Sequence, residues 1–99
     1  MYRIILVCTG VPADEGPSGA ECITEELTRR HWHTNVTCQW DGSQLILKAD
    51  SDYDSDGRAL MDEFSDAISA CIANAGEGSI DVQSVTLLPD EAEPTEEVR

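Results

Sequence analysis

Residues 2–9, YRIILVCT, form a run of strand length with apolar side chains on both sides. β-branched residues are frequent in it, which favours a strand over a helix. A strand that is apolar on both sides is usually central in its sheet. The run therefore predicts a central strand whose alternate residues face opposite ways, with Ile4, Leu6 and Cys8 on one side and Ile5 and Val7 on the other.

The next segment, residues 10–17, contains two Gly and two Pro and is predicted to be a loop. Ser18 followed by Glu21 has the capping-box spacing that starts many helices. Apolar residues at helical spacing then continue to about Arg30. These features predict a first helix over residues 18–30.

Asp41-Gly42 is the dipeptide preferred in two-residue hairpin turns, and apolar residues alternate on either side of it. A turn of that length would place Cys38 opposite Leu45 and Val36 opposite Leu47. Residues 34–49 are therefore predicted to form a β-hairpin.

A second helix is predicted over residues 57–75, with Gly76 just after its end. Residues 79–88 alternate as a strand, but the phase changes between Val82 and Val85, which indicates a bulge near Ser84. The acidic residues 89–99 are predicted to be a disordered tail.

The predicted order is strand, helix, strand, strand, helix, strand. With right-handed crossovers, this order predicts an α+β, ferredoxin-like split βαβ sandwich. Its four-stranded antiparallel sheet would carry two helices on one face, in a single domain over residues 1–88. This fold has many functions, so it does not indicate one.

The chain has 20 acidic and 6 basic residues, a net charge of −14. Such a surface repels nucleic acids and anionic lipids and suits a basic partner protein or a cation. No membrane span or targeting segment is visible, and no Cys-x-x-Cys pair occurs. These features predict a cytoplasmic protein in which Cys8, Cys38 and Cys71 are buried thiols.

The segment DYDSDGRALMDE, residues 52–63, resembles the calcium-binding loop of EF-hand proteins. The resemblance implies metal ligands from the side chains of Asp52, Asp54, Asp56 and Glu63 and from the carbonyl of Arg58. Leu60 offers no oxygen, so affinity would be weak, about 10⁻⁴ to 10⁻³ M, with calcium preferred to magnesium. The alternative is a solvated acidic loop in which Asp56 caps the second helix.

The sequence contains no clear catalytic group. The first strand resembles that of low-molecular-weight tyrosine phosphatases, but Asp14 stands where their phosphate-binding Arg is needed. His31 and His33 have the spacing of two metal ligands, without a third ligand placed by sequence. A non-enzyme is therefore predicted.

One face of the predicted sheet would expose Ile5, Val7 and Ile46, together with Val85 or Leu87. Exposed apolar patches of this kind mark partner or dimer interfaces. The alternative is that Trp40, Trp32 or the long loop covers the patch.

Taken together, these features predict a small acidic interaction module acting on a basic protein or a nucleic-acid-binding complex. An inhibitor, an immunity-type protein and a nucleic-acid mimic all fit this description. Predicted contacts are the apolar patch and the carboxylates of Asp50, Asp62 and Asp66. A homodimer through the open sheet face and a weak calcium-binding domain are further expectations.

Overall fold

The computed structural model describes residues 1–30, 33–72 and 79–88. It confirms an α+β architecture with a four-stranded antiparallel sheet and two helices. The elements in chain order are β1 (Tyr2–Thr9), a 3₁₀ turn (Ala13–Glu15), α1 (Gly16–Arg30), β2 (Thr34–Trp40), β3 (Leu45–Ser51), α2 (Arg58–Cys71) and β4 (Ser79–Leu87).

The strand order is β2-β3-β1-β4, and all three neighbouring pairs are antiparallel. β1 has a partner on each side, so the prediction of a central first strand is confirmed. The edges of the sheet are β2 and β4.

One face of the sheet shares a single core with both helices. Ile4 and Leu6 on β1 are fully buried, as are Leu45 and Leu47 on β3. The helices contribute apolar residues at helical spacing, since amphipathic helices bury one stripe. Those helix residues are Ala20, Ile23, Leu27, Leu60, Phe64, Ala67 and Ile68.

The hairpin forms, but its predicted register is wrong by two residues. Cys38 lies opposite Leu47 and Trp40 opposite Leu45, so the connection contains residues 41–44. The Asp41 carboxylate accepts hydrogen bonds from the backbone N–H groups of Ser43 and Gln44, which stabilises this longer turn. A shift of two residues keeps every side chain on its predicted face, because side chains alternate with a period of two.

β4 contains the predicted bulge. Ile5 lies opposite Ser84 while Leu6 lies opposite Val82, which leaves Gln83 as the extra residue. Beyond this bulge, Val85 lies opposite Ile4 and therefore on the core face.

The placement of Val85 or Leu87 on the open face is therefore wrong. Leu87 lies opposite Tyr2, which packs against the core. The alternating pattern shows a change of phase but does not show which half of the strand faces the helices.

The start of α1 also differs from the prediction. The helix begins at Gly16, after the 3₁₀ turn, so Ser18 lies inside the helix and does not cap it. A side chain at position 16 would collide with the indole of Trp40, which packs directly against the backbone there. Gly16 therefore allows α1 to approach β2 closely.

α2 ends at Cys71, earlier than predicted, because Ile72 has an extended backbone. The predicted cap at Gly76 and the predicted tail over residues 89–99 lie outside the described residues. In the parts of the chain that the structure does describe, none of the helices is long and apolar enough to cross a membrane.

The prediction of a buried thiol at Cys71 is wrong, because Cys71 forms a disulfide with Cys22. The bond joins α2 to α1 across a sequence separation of 49 residues. The prediction of buried thiols is confirmed for Cys8 and Cys38.

α1 also contacts the outer edge of the sheet. The Thr24 hydroxyl accepts a hydrogen bond from the backbone N–H of Cys38 on edge strand β2, with a distance of 3.0 Å between nitrogen and oxygen. The same hydroxyl donates to the carbonyl of Ala20 one turn earlier in the helix. A backbone donor at the edge of the sheet is therefore satisfied by a helix side chain.

Candidate functional site

Asp54 is the best-connected residue of the acidic segment 52–63. One carboxylate oxygen accepts from the N–H of Ala59 at 3.1 Å, and the other accepts from the N–H of Leu60 at 2.9 Å. These two donors belong to the first turn of α2, where backbone N–H groups have no partner within the helix. Asp54 therefore caps two of these donors, and the predicted cap, Asp56, accepts from a third, the N–H of Arg58.

His33 is the third partner of this carboxylate. Its Nε2 lies 3.1 Å from Oδ2 of Asp54, and the two side chains are only 3% and 2% exposed. The ring of Tyr53 lies beside the imidazole, with 5.9 Å between ring centroids. His33 and Asp54 thus form a buried polar pair, flanked by the exposed Tyr53, that holds the start of α2 against the start of β2.

The other predicted calcium ligands lie in different environments. Asp52 and Asp56 are exposed, and Asp56 accepts a hydrogen bond from the backbone N–H of Arg58 at 3.0 Å. Arg58 is the first residue of α2. Glu63 lies further along α2, where its carboxylate accepts a hydrogen bond from Arg30 of α1.

Gly57 forms the sharp turn that the calcium-loop resemblance requires of it. Its φ of 79° is left-handed, a conformation that favours glycine. Within the described residues, no three His, Cys, Asp or Glu side chains are grouped as metal ligands. Calcium binding by this segment stays a prediction for solution measurements.

Of the two histidines predicted as metal ligands, the structure describes only His33. His33 is buried against Asp54, whereas His31 lies outside the described residues. No sequence pattern connects His33 with Asp54, which lies 21 residues later. Their contact depends on β2 and the end of β3 lying side by side.

The two helices are joined at two places. Near one end is the Cys22–Cys71 disulfide. Near the other, Arg30 forms salt bridges with Glu26 of its own helix and with Glu63 and Asp66 of α2. These carboxylates raise the pKa of Arg30, chiefly through the hydrogen bond to Glu63, so the guanidinium stays charged.

Each of the two helices carries a pair of exposed carboxylates at i and i+4. We call this the acidic helix surface; it consists of Glu21 and Glu25 on α1 and Asp62 and Asp66 on α2. Asp66 has Arg30 as a partner. In the described part of the chain, Glu21, Glu25 and Asp62 form no salt bridge.

The side of the sheet turned away from the core is the open sheet face. Its apolar residues are Ile5, Val7 and Ile46, all partly exposed. Trp40 does not cover it, since its ring packs on α1 at Gly16; Trp32 lies outside the described residues. The remaining side chains of this face are polar or charged and include Arg3, Thr37, Gln39, Lys48, Asp50, Asp81, Ser84 and Thr86.

Asp50 was predicted as a partner contact, but its carboxylate is already occupied. Its residue is 3% exposed, and it accepts hydrogen bonds from Arg3 at 2.9 and 3.1 Å and from the Asn35 side chain at 2.9 Å. The hydrogen bond from Arg3 holds the pKa of Asp50 below its ordinary value. Asp50 therefore stabilises the sheet and is not available to imitate a phosphate.

The two free cysteines are poor nucleophiles. Burial raises the pKa of Cys38 to about 12 and also raises the pKa of Cys8. The thiolate is the reactive form of cysteine, so both side chains are protonated and inert at neutral pH. Protonated, buried thiols are consistent with Cys8 and Cys38 serving as packing residues on the core face of the sheet.

No protein-family model, no curated protein and no solved structure matches this chain.

Proposed function

We propose that this protein is a small, acidic, non-enzymatic interaction module that binds a basic partner protein through its acidic helix surface. The observation that carries the proposal is the presence of three exposed carboxylates, on Glu21, Glu25 and Asp62, without a basic partner in the described part of the chain. An inhibitor or immunity-type protein and a nucleic-acid mimic are forms of this function.

The physical argument begins with the helices themselves. Like charges at i and i+4 destabilise a helix by roughly 0.2–0.5 kcal/mol per pair. Glu21 and Glu25 form such a pair on α1, and Asp62 and Asp66 form one on α2. A partner that brings Lys or Arg side chains to this surface would offset the repulsion on α1 and would add to what Arg30 already offsets at Asp66 on α2.

The net charge of −14 adds long-range attraction to the same kind of partner. Such steering speeds association with a basic surface and is weakened by salt. Rows of carboxylates on rigid helices can also take the place of phosphates. A basic groove that normally binds nucleic acid would therefore meet negative charges like those of its usual ligand. A groove of this kind is therefore the partner class that we favour.

We also propose the ferredoxin-like arrangement as the fold. The order β2-β3-β1-β4, with antiparallel pairing throughout, is the order that two right-handed split βαβ units produce. Function is inferred here from the acidic helix surface and not from this fold.

The disulfide bears on where the protein acts. Disulfides form and persist in oxidising environments and are rare in the cytosol. The sequence predicts a cytoplasmic protein with free thiols, whereas the Cys22–Cys71 bond favours an oxidising compartment. We therefore propose the oxidising compartment.

The test is affinity capture from the native host with the full chain as bait. One variant removes the charges of the acidic helix surface through Glu21→Gln, Glu25→Gln, Asp62→Asn and Asp66→Asn. The matched control removes four exposed loop carboxylates through Asp14→Asn, Asp41→Asn, Asp52→Asn and Asp56→Asn. Amide replacements keep side-chain size and one acceptor oxygen, so both variants are expected to fold.

We expect a basic protein to be captured by the natural chain and by the control, and to be lost with the helix variant. Its binding should weaken strongly between low and high salt, as for any association steered by charge. Equal capture by the helix variant would refute the proposed binding surface.

A further inference from the structure

The open sheet face differs in charge from the rest of the molecule. The described residues include 14 acidic and 5 basic side chains. The open sheet face holds two of each, Arg3 and Lys48 against Asp50 and Asp81, which leaves 12 acidic and 3 basic side chains elsewhere. This face is therefore neutral on a strongly acidic protein.

The apolar side chains lie in the middle of this neutral surface. Ile5 and Val7 are on central strand β1, and Ile46 lies opposite Val7 on β3. Polar side chains surround them. An apolar centre with a polar rim is the general anatomy of a protein interface.

Two opposite charges flank the apolar centre on different sides. Lys48 lies opposite Ile5 on β3, and Asp81 lies opposite Val7 on β4. Both are exposed, and in the described part of the chain neither forms a salt bridge. Arg3 and Asp50, by contrast, already neutralise each other.

We infer that the open sheet face is the interface of a symmetric homodimer in which Lys48 of each copy pairs with Asp81 of the other. A two-fold axis that lies in the interface and runs obliquely to β1 exchanges positions that differ both across β1 and along it, as Lys48 and Asp81 do. With the axis passing between Ile5 and Val7, Lys48 of one copy comes over Asp81 of the second, and the reciprocal pair forms at the same time. A self-complementary patch closes most simply in this way.

The size of the open sheet face determines how strong the dimer is expected to be. Four strands about 4.8 Å apart and about seven residues long cover roughly 19 by 24 Å. That area, roughly 450 Å², is little more than half of the roughly 800 Å² per partner that standard specific interfaces bury, and it is typical of weak, transient ones. The dimer is therefore expected to be weak, and the net charge of −14 on each copy opposes it at low salt.

The test is sedimentation equilibrium of the full chain at physiological salt, from about 5 to about 500 μM, a range that suits a weak interface. Beside the Arg3–Asp50 pair, Lys48→Asp leaves two acidic side chains on the face, and Asp81→Lys leaves two basic ones. Each variant alone would place like charges together twice, so each should dimerise at least about tenfold more weakly than the natural chain. An equal mixture of the two variants should form a heterodimer, because both contacts become complementary again.

Glu25→Lys is the matched control, since it changes the charge by the same amount as Asp81→Lys but lies on α1. It should dimerise at least as well as the natural chain, because it only lowers the overall repulsion. A natural chain that stays monomeric throughout, whether its open sheet face is bare or covered by another occupant, overturns the inference. So does a mixture that associates no better than the separate variants. Neither result bears on the acidic helix surface, which is tested by partner capture.

Discussion

Replacing Asp54 by Ala should cost far more stability than replacing its neighbour Asp52. The carboxylate of Asp54 accepts three hydrogen bonds, from the N–H groups of Ala59 and Leu60 and from His33. Asp52 is exposed and makes no hydrogen bond or salt bridge within the described residues. The EF-hand resemblance treats these two residues as equivalent ligands, whereas the structure makes them very different.

The stability cost of Asp54→Ala follows from the groups that lose their hydrogen-bond acceptor. Loss of a helix N-cap costs typically about 1 kcal/mol and up to about 2 kcal/mol. The buried His33 ring nitrogen and the N–H of Leu60 would also lack an acceptor, at about 1–3 kcal/mol for each unsatisfied group. Because these contributions overlap, we expect a total loss of about 3–5 kcal/mol, against about 0.5 kcal/mol or less for Asp52→Ala.

The assay is urea unfolding without added metal, followed by far-UV circular dichroism. Asp54→Asn keeps one acceptor oxygen and should fall between Asp54→Ala and the natural chain. His33→Ala should lower stability as well, since it leaves a buried carboxylate with one partner fewer. Equal unfolding midpoints for Asp52→Ala and Asp54→Ala would refute the role of Asp54 as the helix cap.

Three further expectations concern the disulfide, the Arg3–Asp50 pair and calcium. The double change Cys22→Ser and Cys71→Ser should lower the free energy of unfolding by up to about 4 kcal/mol, the chain-entropy value for a loop of this length; an unchanged thermal midpoint would contradict this. The pKa of Asp50 lies below its ordinary value of 3.8, so its contribution is complete above about pH 4 and is lost as the pH falls through the lowered pKa. Arg3→Gln should therefore flatten the acid side of the stability profile, and an unaltered profile would count against the pair. At the weak affinity predicted above, millimolar calcium should raise the thermal midpoint only slightly, because Asp54 would have to release the N–H groups of Ala59 and Leu60 to bind it; an unchanged midpoint, or a rise that Glu63→Gln does not abolish, would contradict the calcium site.

Local patterns predicted the elements of this fold well. The doubly apolar run of β1, the apolar stripes of both helices and the bulge in β4 all depend on residues close in sequence. The errors arose where a local pattern had two solutions. Asp41-Gly42 suits a two-residue turn, but the Asp41 side chain stabilises a four-residue one.

Most contacts that define the candidate sites join residues far apart in sequence, so local patterns could not predict them. The disulfide links residues separated by 49 positions, and the pair of His33 and Asp54 is separated by 21. Each contact forms because the topology brings distant elements together. The exposed apolar trio Ile5, Val7 and Ile46 could be predicted, because strand alternation alone fixes the face of each residue.

The hydrogen bond between Thr24 and the edge strand has a consequence for aggregation. An exposed sheet edge can template the addition of further strands, which leads to fibrils. On β2, a strand arriving from another molecule would have to displace the Thr24 hydroxyl from the N–H of Cys38. At the opposite edge, the bulge at Gln83 interrupts the regular ladder that such a strand needs. Both edges thus resist open-ended growth, and Thr24→Val should make the protein more prone to form fibrils on long incubation.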